Sequence, residues 1–244
     1  MNNNLLQTPA ALRWPSPARH EFPPLHWRCV GDISEADSVG SMAVFIVDGD
    51  DTHRASLQAL TRCDRWRTEG LATVQELLGR APHPGPSCMV LDAALQHPGG
   101  LPALQRRVSA ERVEMPVIFI AGDADVPMAV QAMKAGAVDF LTKPVSGHRL
   151  LYAVEDALAH SRAMLERSAS ARAIQARHAT LSRREQEVMS LVVTGLLNKQ
   201  VGAELGISEI TVKAHRGSAM RKMGARSLPD LVNMANRLQD ALAG

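Results

Sequence analysis

Four short apolar runs constrain this chain more than any other feature in it. They are Ala43–Val47, Ser87–Leu91, Pro116–Ile120 and Val138–Leu141. Each has the length of a strand, and the first three show no alternation with polar residues. A strand that is apolar on both faces must be covered on both, as in the parallel sheet of an α/β domain. Amphipathic stretches between the runs, among them Ala55–Leu60, Val74–Leu78 and Met128–Met133, supply the covering helices. A weaker run near Arg65–Thr68 adds a further strand. The alternation predicts a doubly wound, five-stranded parallel sheet over residues 42–158.

Ligands of such sheets bind beyond the carboxyl ends of the strands. Asp48, Asp50, Asp51, Asp92 and Lys143 all lie just after strand runs, so several can meet at that edge. Clustered carboxylates repel one another unless a cation lies between them, and hard oxygens suit Mg²⁺. An aspartate beside a metal-held phosphodonor can take up the phosphoryl group. A solvated acidic rim is the plainer reading of the same spacing.

Beyond residue 160 the chain changes character. Residues 161–244 carry net charge +6 with His neutral, against −3 for 42–160 and −1 for 1–41. In that basic part, Ile207–Met223 reads as a helix opened by the capping hydroxyl of Ser208 and closed before Gly224. At 100° per residue, Val212, Ala219 and Met223 form one stripe that should face a core. Lys213, Ala214, Gly217 and Arg221 fall opposite. That outer stripe is basic at its edges and nearly bare at its centre, although Gly inside a helix costs about 1 kcal/mol relative to Ala. A bare stripe suits a helix whose backbone must approach the DNA major groove, with an ordinary surface helix as the alternative for this stretch taken alone. Upstream, Ser182 and Glu185 form a capping box for a helix that buries Val188, Leu191 and Val192 and stops at Gly195. Asn198 is placed to cap a short helix carrying Val201 and Leu205, and Gly206 makes the turn into Ser208. Helix, short helix, turn, helix is a helix-turn-helix arrangement.

Composition excludes several other classes. Aromatics are 3% of residues, too few for a surface that stacks single-stranded bases. Cys29, Cys63 and Cys88 have no paired metal spacing and are odd in number, which fits a reducing cytoplasm. No apolar run approaches the ~20 residues of a membrane helix, and no signal peptide is visible.

The stretch LSRREQEVMSLVVTGLLNKQVGAELGISEITVKAHRGSAMRKMGARSLPDLV resembles the C-terminal domain of the LuxR/NarL/FixJ regulators, nearest the FixJ branch, over about Thr180–Leu238. Many separate positions agree in register. Members read TVK-V-HR-x-N-I-M-x-K, and Ala214, Ser218 and Ala219 replace the usual Val, Asn and Ile, which alters the base preference. The resemblance implies an all-helical DNA-binding domain over 180–244 that contacts double-stranded DNA. Lys213, Ala214 and Gly217 are expected at base edges, and Lys199, Thr211, Arg216 and Arg221 at phosphates. Ser208 and Ser218 complete the expected DNA-facing set. After Gly224, Ser227 can cap a last helix with an apolar stripe at Leu228, Leu231, Val232, Ala235 and Leu238. In the family this helix pairs with its copy, which implies a homodimer on DNA through Leu228, Leu231 and Leu238; packing on its own domain is the alternative, and Leu231 and Leu238 could serve either.

Residues Met42 to Leu158, and above all DVPMAVQAMKAGAVDFLTKP (Asp125–Pro144), are similar to the receiver domains of FixJ-type response regulators. The resemblance makes Asp92 the phosphoacceptor and Asp48, with Asp50 nearby, the acidic pocket. It makes Lys143 the contact to the phosphoryl group and Phe140, with position 121, the switch. It also implies a sensor histidine kinase as partner and Mg²⁺ held by Asp48 and Asp92. Two positions depart from the family. Gly49 stands where the second, metal-binding acid belongs, and Ala121 stands where a Thr or Ser hydroxyl belongs. The first loss weakens Mg²⁺ binding. The second removes a hydrogen bond worth roughly 0.5–1.5 kcal/mol.

Val47–Thr52 also fits the D-x-D-x-T pattern of haloacid-dehalogenase-like phosphatases, with Asp48 as nucleophile and Asp50 as general acid. Such enzymes need a later acidic pair for the metal, no D-D or D-x-x-x-D stands at a strand end after residue 92, and the chain is read as not an enzyme. Residues 146–179 read as a long helix with Leu151, Val154, Leu158 and Leu165 along one stripe. Its part from 159 to 179 is expected to be a linker. Arg162, Arg167, Arg172 and Arg177 spread around it, as on a solvated helix, with DNA-backbone contact or dimer pairing as the alternative. Residues 1–41 are rich in proline and read as a disordered extension, whose Trp14, Phe22 and Trp27 could dock on a partner. Met42, immediately before the first strand, is a second candidate start of translation. The reading is a cytoplasmic, DNA-binding transcriptional regulator of a two-component system, with an atypical receiver weakly phosphorylated at Asp92. The alternative is a receiver that binds a protein or small ligand without phosphate.

Overall fold

The structure, a computed structural model, describes residues 41–95, 100–112, 114–122 and 126–243, with side chains through 239. The expected N-terminal extension, with Trp14, Phe22 and Trp27, lies outside the described residues. The sheet strands are β1 (Met42–Val47), β2 (Trp66–Leu71), β3 (Ser87–Asp92), β4 (Val117–Ala121) and β5 (Asp139–Thr142). They run in the order β2-β1-β3-β4-β5, all parallel, with Phe45 opposite Met89 and Leu91 opposite Phe119. This is the five-stranded, doubly wound sheet that the apolar runs predict.

Alternation within each strand builds two cores. Phe45, Met89, Leu91 and Phe119 face helix α3 (Gly100–Glu111) through Leu101, Leu104 and Val108. Val44, Ile46, Val90, Ile118 and Ile120 face α1 (Asp51–Thr61) through Leu57 and α5 (Gly147–Ala179) through Leu150, Val154 and Leu158. Each such aliphatic or Phe side chain, fully buried, contributes about 1.5–3 kcal/mol. Helices α2 (Val74–Leu78) and α4 (Val126–Lys134) complete the wrap. No expectation marked α3, because its inward stripe includes a buried glutamine, Gln105. Strand β2 looks weak in sequence because it lies at the sheet edge and carries Arg67, Thr68 and Glu69. It is anchored instead by buried Trp66, whose Nε1 donates to the Thr61 carbonyl at 2.9 Å.

Helix α5 joins the two halves of the molecule in one span of 33 residues and passes residue 158 without a break. Its first half packs on the sheet. Ser161, fully buried, accepts from Ser87 N at 3.0 Å and donates to the Glu114 carbonyl at 2.5 Å. Its last turns enter the second domain, where Ile174 joins the core and Arg177 Nη1 donates to the Met223 carbonyl at 3.1 Å.

That domain comprises α6 (Arg183–Val193), α7 (Asn198–Leu205), α8 (Glu209–Met223) and α9 (Leu228–Ala243). The capping box forms as expected: Glu185 N donates to Ser182 Oγ at 3.3 Å, and Ser182 N donates to Glu185 Oε2 at 2.7 Å. Gly206 and Gly224 end α7 and α8 with φ of 66° and 73°, a left-handed conformation that disfavours any side chain. Asn198 does not cap α7, contrary to expectation. The helix is opened by the Gln200 carboxamide, which accepts from Leu197 N at 2.8 Å, and Asn198 turns to Arg216. Gly202 lets α7 meet the following turn, since a Cβ there would lie 2.7 Å from the Ile207 carbonyl oxygen.

Candidate functional site

At the carboxyl edge of the sheet, β1 delivers Asp48, β3 delivers Asp92, and the loop after β5 delivers Lys143. Asp48 and Asp92 are buried, at 1% and 7% exposure. Lys143 Nζ donates to Asp92 Oδ2 at 3.0 Å, and Ala94 N donates to Asp92 Oδ1 at 3.1 Å. Asp48 Oδ1 accepts from Asp50 N at 2.8 Å. Its Oδ2 meets Nδ1 of His53, a residue from the first turns of α1 that sequence reasoning missed. Spacing could have found it, because residue 53 lies five positions beyond Asp48 on a helix that starts at the same edge. Ligand atoms of Asp48, His53 and Asp92 all lie within 4.8 Å of one another.

Asp50 is corrected. Its carboxylate is the N-cap of α1 and accepts from Thr52 N at 2.8 Å and His53 N at 3.1 Å. The His53 and Thr52 amides hold its carboxyl below the usual range. It therefore serves the helix start, with Lys143 near enough to act on it electrostatically. Asp51 pairs with Arg54 on the surface. Gly49 is exposed, and a Cβ there would meet only Leu95 Cδ2 at 3.4 Å, so nothing bars a side chain. Ala121 ends β4 buried at 4%, and Phe140 is half-buried against the core of the α3 side.

In the second domain, Val212, Ala219 and Met223 of α8 are completely buried, as their stripe predicts. Lys213, Ala214, Gly217 and Arg221 are all exposed on the opposite side, together with Lys199 and Ser208, and Thr211 is half-exposed. No atom beyond its own helix lies within 4 Å of a Cβ built on Gly217. Ile210, 80% exposed, extends this bare stripe and was also missed. It lies four residues before Ala214 and seven before Gly217, so the same periodicity points to it. An exposed apolar side chain there suits contact with a thymine methyl.

Three expected contacts are corrected. Ser218 faces inward and donates to Glu185 Oε1 at 2.6 Å. Arg216 is half-buried and donates to Asn198 Oδ1 at 3.1 Å, which ties α8 to α7. Leu231 is completely buried in the domain's own core with Ile174, Met189 and Met223, so it is not free to pair with a second copy. Leu228 and Leu238 are half-buried against the same core. Glu185, which also takes Lys222 Nζ at 2.7 Å, is held at a pKa of about 2 by Lys222, Ser218 and the Ser182 amide.

A buried aspartate beside a lysine at the sheet edge, coupled through one helix to a helix-turn-helix, defines a class of switchable DNA-binding protein. Comparison with known proteins gives its family. The family description "Response regulator receiver domain" matches residues 44–155, and "Bacterial regulatory proteins, luxR family" matches 179–235. The chain belongs to the two-component response regulators with a LuxR-type DNA-binding domain. It is similar to nodulation protein W of Bradyrhizobium diazoefficiens, with 43% identity over 87% of this chain and 92% of that protein. It is also similar to the transcriptional regulatory protein FixJ of Rhizobium meliloti, with 40% identity over 79% of this chain and 94% of that protein. A solved structure of the response regulator StyR, 35% identical, covers 81% of this chain and 100% of its own, with a TM-score of 0.68. Among the described residues, no helix is long and apolar enough to cross a membrane.

Proposed function

We propose that this regulator accepts a phosphoryl group at Asp92 only weakly, and that its helix α8 reads DNA with little dependence on that event. The observation that carries this is the composition of the pocket. Asp92 keeps its Lys143 partner at 3.0 Å, but Gly49 and Ala121 offer neither a second metal-binding acid nor a switching hydroxyl. Asp48 and Asp92 are the carboxylates left for Mg²⁺, an ion that demands near-octahedral oxygen coordination. Among the described residues they are a poor match for it. The domain division that goes with this reading is a receiver over 42–158, a linker over 159–179 and a DNA-binding domain over 180–244.

On DNA, Ile210, Lys213, Ala214 and Gly217 face base edges, while Lys199, Thr211 and Arg221 lie along phosphates. The protein binds as a homodimer in the cytoplasm, reading two half-sites about one helical turn apart. With Leu231 buried, the dimer contact falls to other surfaces, such as the exposed Val126, Val130 and Met133 of α4. A sensor kinase is the expected phosphodonor. A receiver that binds a protein or small ligand without phosphate is the second reading. Its support is that Asp48 and Asp92 already have partners in His53 and Lys143.

Phosphoryl labelling of the purified protein by acetyl phosphate, beside operator binding, tests the proposal. Asp92→Ala should change operator affinity less than tenfold, under about 1.4 kcal/mol. Gly49→Asp should speed labelling. Rapid stoichiometric labelling of wild type, with a large rise in affinity lost in Asp92→Ala, would restore an ordinary phosphoswitch.

A further inference from the structure

We propose that Asp48, His53 and Asp92 form a mixed nitrogen–oxygen metal site that selects a first-row transition ion such as Ni²⁺, Co²⁺ or Zn²⁺ over Mg²⁺. His53 supplies the ligand that Gly49 lacks. The inference rests on the pocket reading of Asp92.

Geometry comes first. The ligand atoms lie within 4.8 Å of one another. Ligands at about 2.1 Å from one ion lie at most about 4.2 Å apart, so the group needs only sub-ångström adjustment to close on an ion. Asp48 and Asp92 are fixed by strand ends and accept from Asp50 N and Ala94 N. His53 is fixed by the helix start, since its own amide is bound by the Asp50 carboxylate. Its Nδ1 is hydrogen-bonded to Asp48 Oδ2, a contact that a shared ion replaces with release of the proton between them, and its ring is 27% exposed, which leaves Nε2 room to meet solvent.

Charge and ligand type then decide the ion. Lys143 offsets one of the two carboxylates, so the pocket attracts a dication less strongly than a pocket with a third acid would. A neutral imidazole adds no charge but adds a nitrogen donor. Mg²⁺ gains little from nitrogen and holds its waters tightly. Ni²⁺, Co²⁺ and Zn²⁺ bind imidazole well and gain most from the exchange of a carboxylate for a histidine.

The test is calorimetric titration of the full chain with Ni²⁺ and, separately, Mg²⁺. Wild type, His53→Val, His53→Gln, Asp92→Asn and the double variant Gly49→Asp/His53→Val are compared, with circular dichroism as the check on folding. Wild type should bind Ni²⁺ at least a hundredfold more tightly than Mg²⁺. Both His53 variants should weaken the tightest Ni²⁺ event at least tenfold while changing Mg²⁺ affinity less than twofold. Asp92→Asn should weaken both ions, and the double variant should bind Mg²⁺ more tightly than wild type. Unchanged Ni²⁺ affinity in folded His53 variants overturns the nitrogen ligand but leaves the pocket reading standing. Unchanged binding of both ions in Asp92→Asn overturns the pocket reading itself.

Discussion

The two ends of helix α5 meet regions that use polar groups in opposite ways. At the receiver edge, Asp48, His53, Asp92 and Lys143 are brought together from four chain positions, and each of the two buried carboxylates accepts from two partners. In the DNA-binding domain, the buried carboxylate of Glu185 is already fully engaged by Lys222, Ser218 and the Ser182 amide. The first arrangement is the candidate site, and the second is a brace. A buried carboxylate with several donors fixes helix positions, whereas two carboxylates brought together repel each other unless a cation lies between them. Departures from the family pattern fall in both regions, at Gly49 and Ala121 in the first and at Ser218 in the second, where the Ser218 hydroxyl still donates to Glu185.

The largest expected effect tests the packing side. Leu231→Arg should destabilise the DNA-binding domain by more than about 3 kcal/mol, because it places an unpaired charge in a filled core. Chemical denaturation measures this, and a folded, merely monomeric variant would return Leu231 to an interface between copies. Next is the bare face of α8. Gly217→Gln should lower specific operator affinity at least a hundredfold, about 2.7 kcal/mol, with the circular dichroism spectrum unchanged. Operator binding that survives this change would place the groove contact elsewhere.

The brace is tested by acid. The Glu185 carboxyl is held at about 2, below its ordinary 4.5. Its contribution is therefore complete above pH 4.5 and is lost as pH falls through about 2. Melting temperature should fall more steeply with acid in wild type than in Glu185→Gln over that window, and parallel curves would show that the carboxylate is not braced. The smallest effect concerns Lys199. Lys199→Ala should weaken binding to all DNA sequences alike and reduce the salt slope by about 1. An unchanged slope would take Lys199 off the phosphate backbone.

Much was legible in the sequence because it depends on local order. Apolar runs marked the buried strands, Ser182 and Glu185 marked a helix start, and Val212, Ala219 and Met223 marked a core stripe. Asp48, Asp92 and Lys143 were legible for a similar reason, since each ends or directly follows a strand and parallel strands bring such positions to one edge. Less legible were elements whose pattern is mixed, such as α3 with its buried Gln105 and β2 with its polar edge.

What the sequence could not decide was direction. Asp50 caps its own helix and His53 turns to Asp48. Ser218 faces Glu185, Arg216 reaches Asn198, and Leu231 fills a core shared with Ile174 from a helix more than fifty residues earlier. Each of these side chains had two or more physically reasonable partners at its place in the chain. Only the packed arrangement of distant elements leaves one of them within reach. The sequence by itself therefore determined which strands are buried and where α6 and α8 begin, because periodicity and capping act over a few residues. The tertiary structure decided which polar groups meet, because hydrogen bonds and metal ligands act over a few ångströms between segments far apart in the chain.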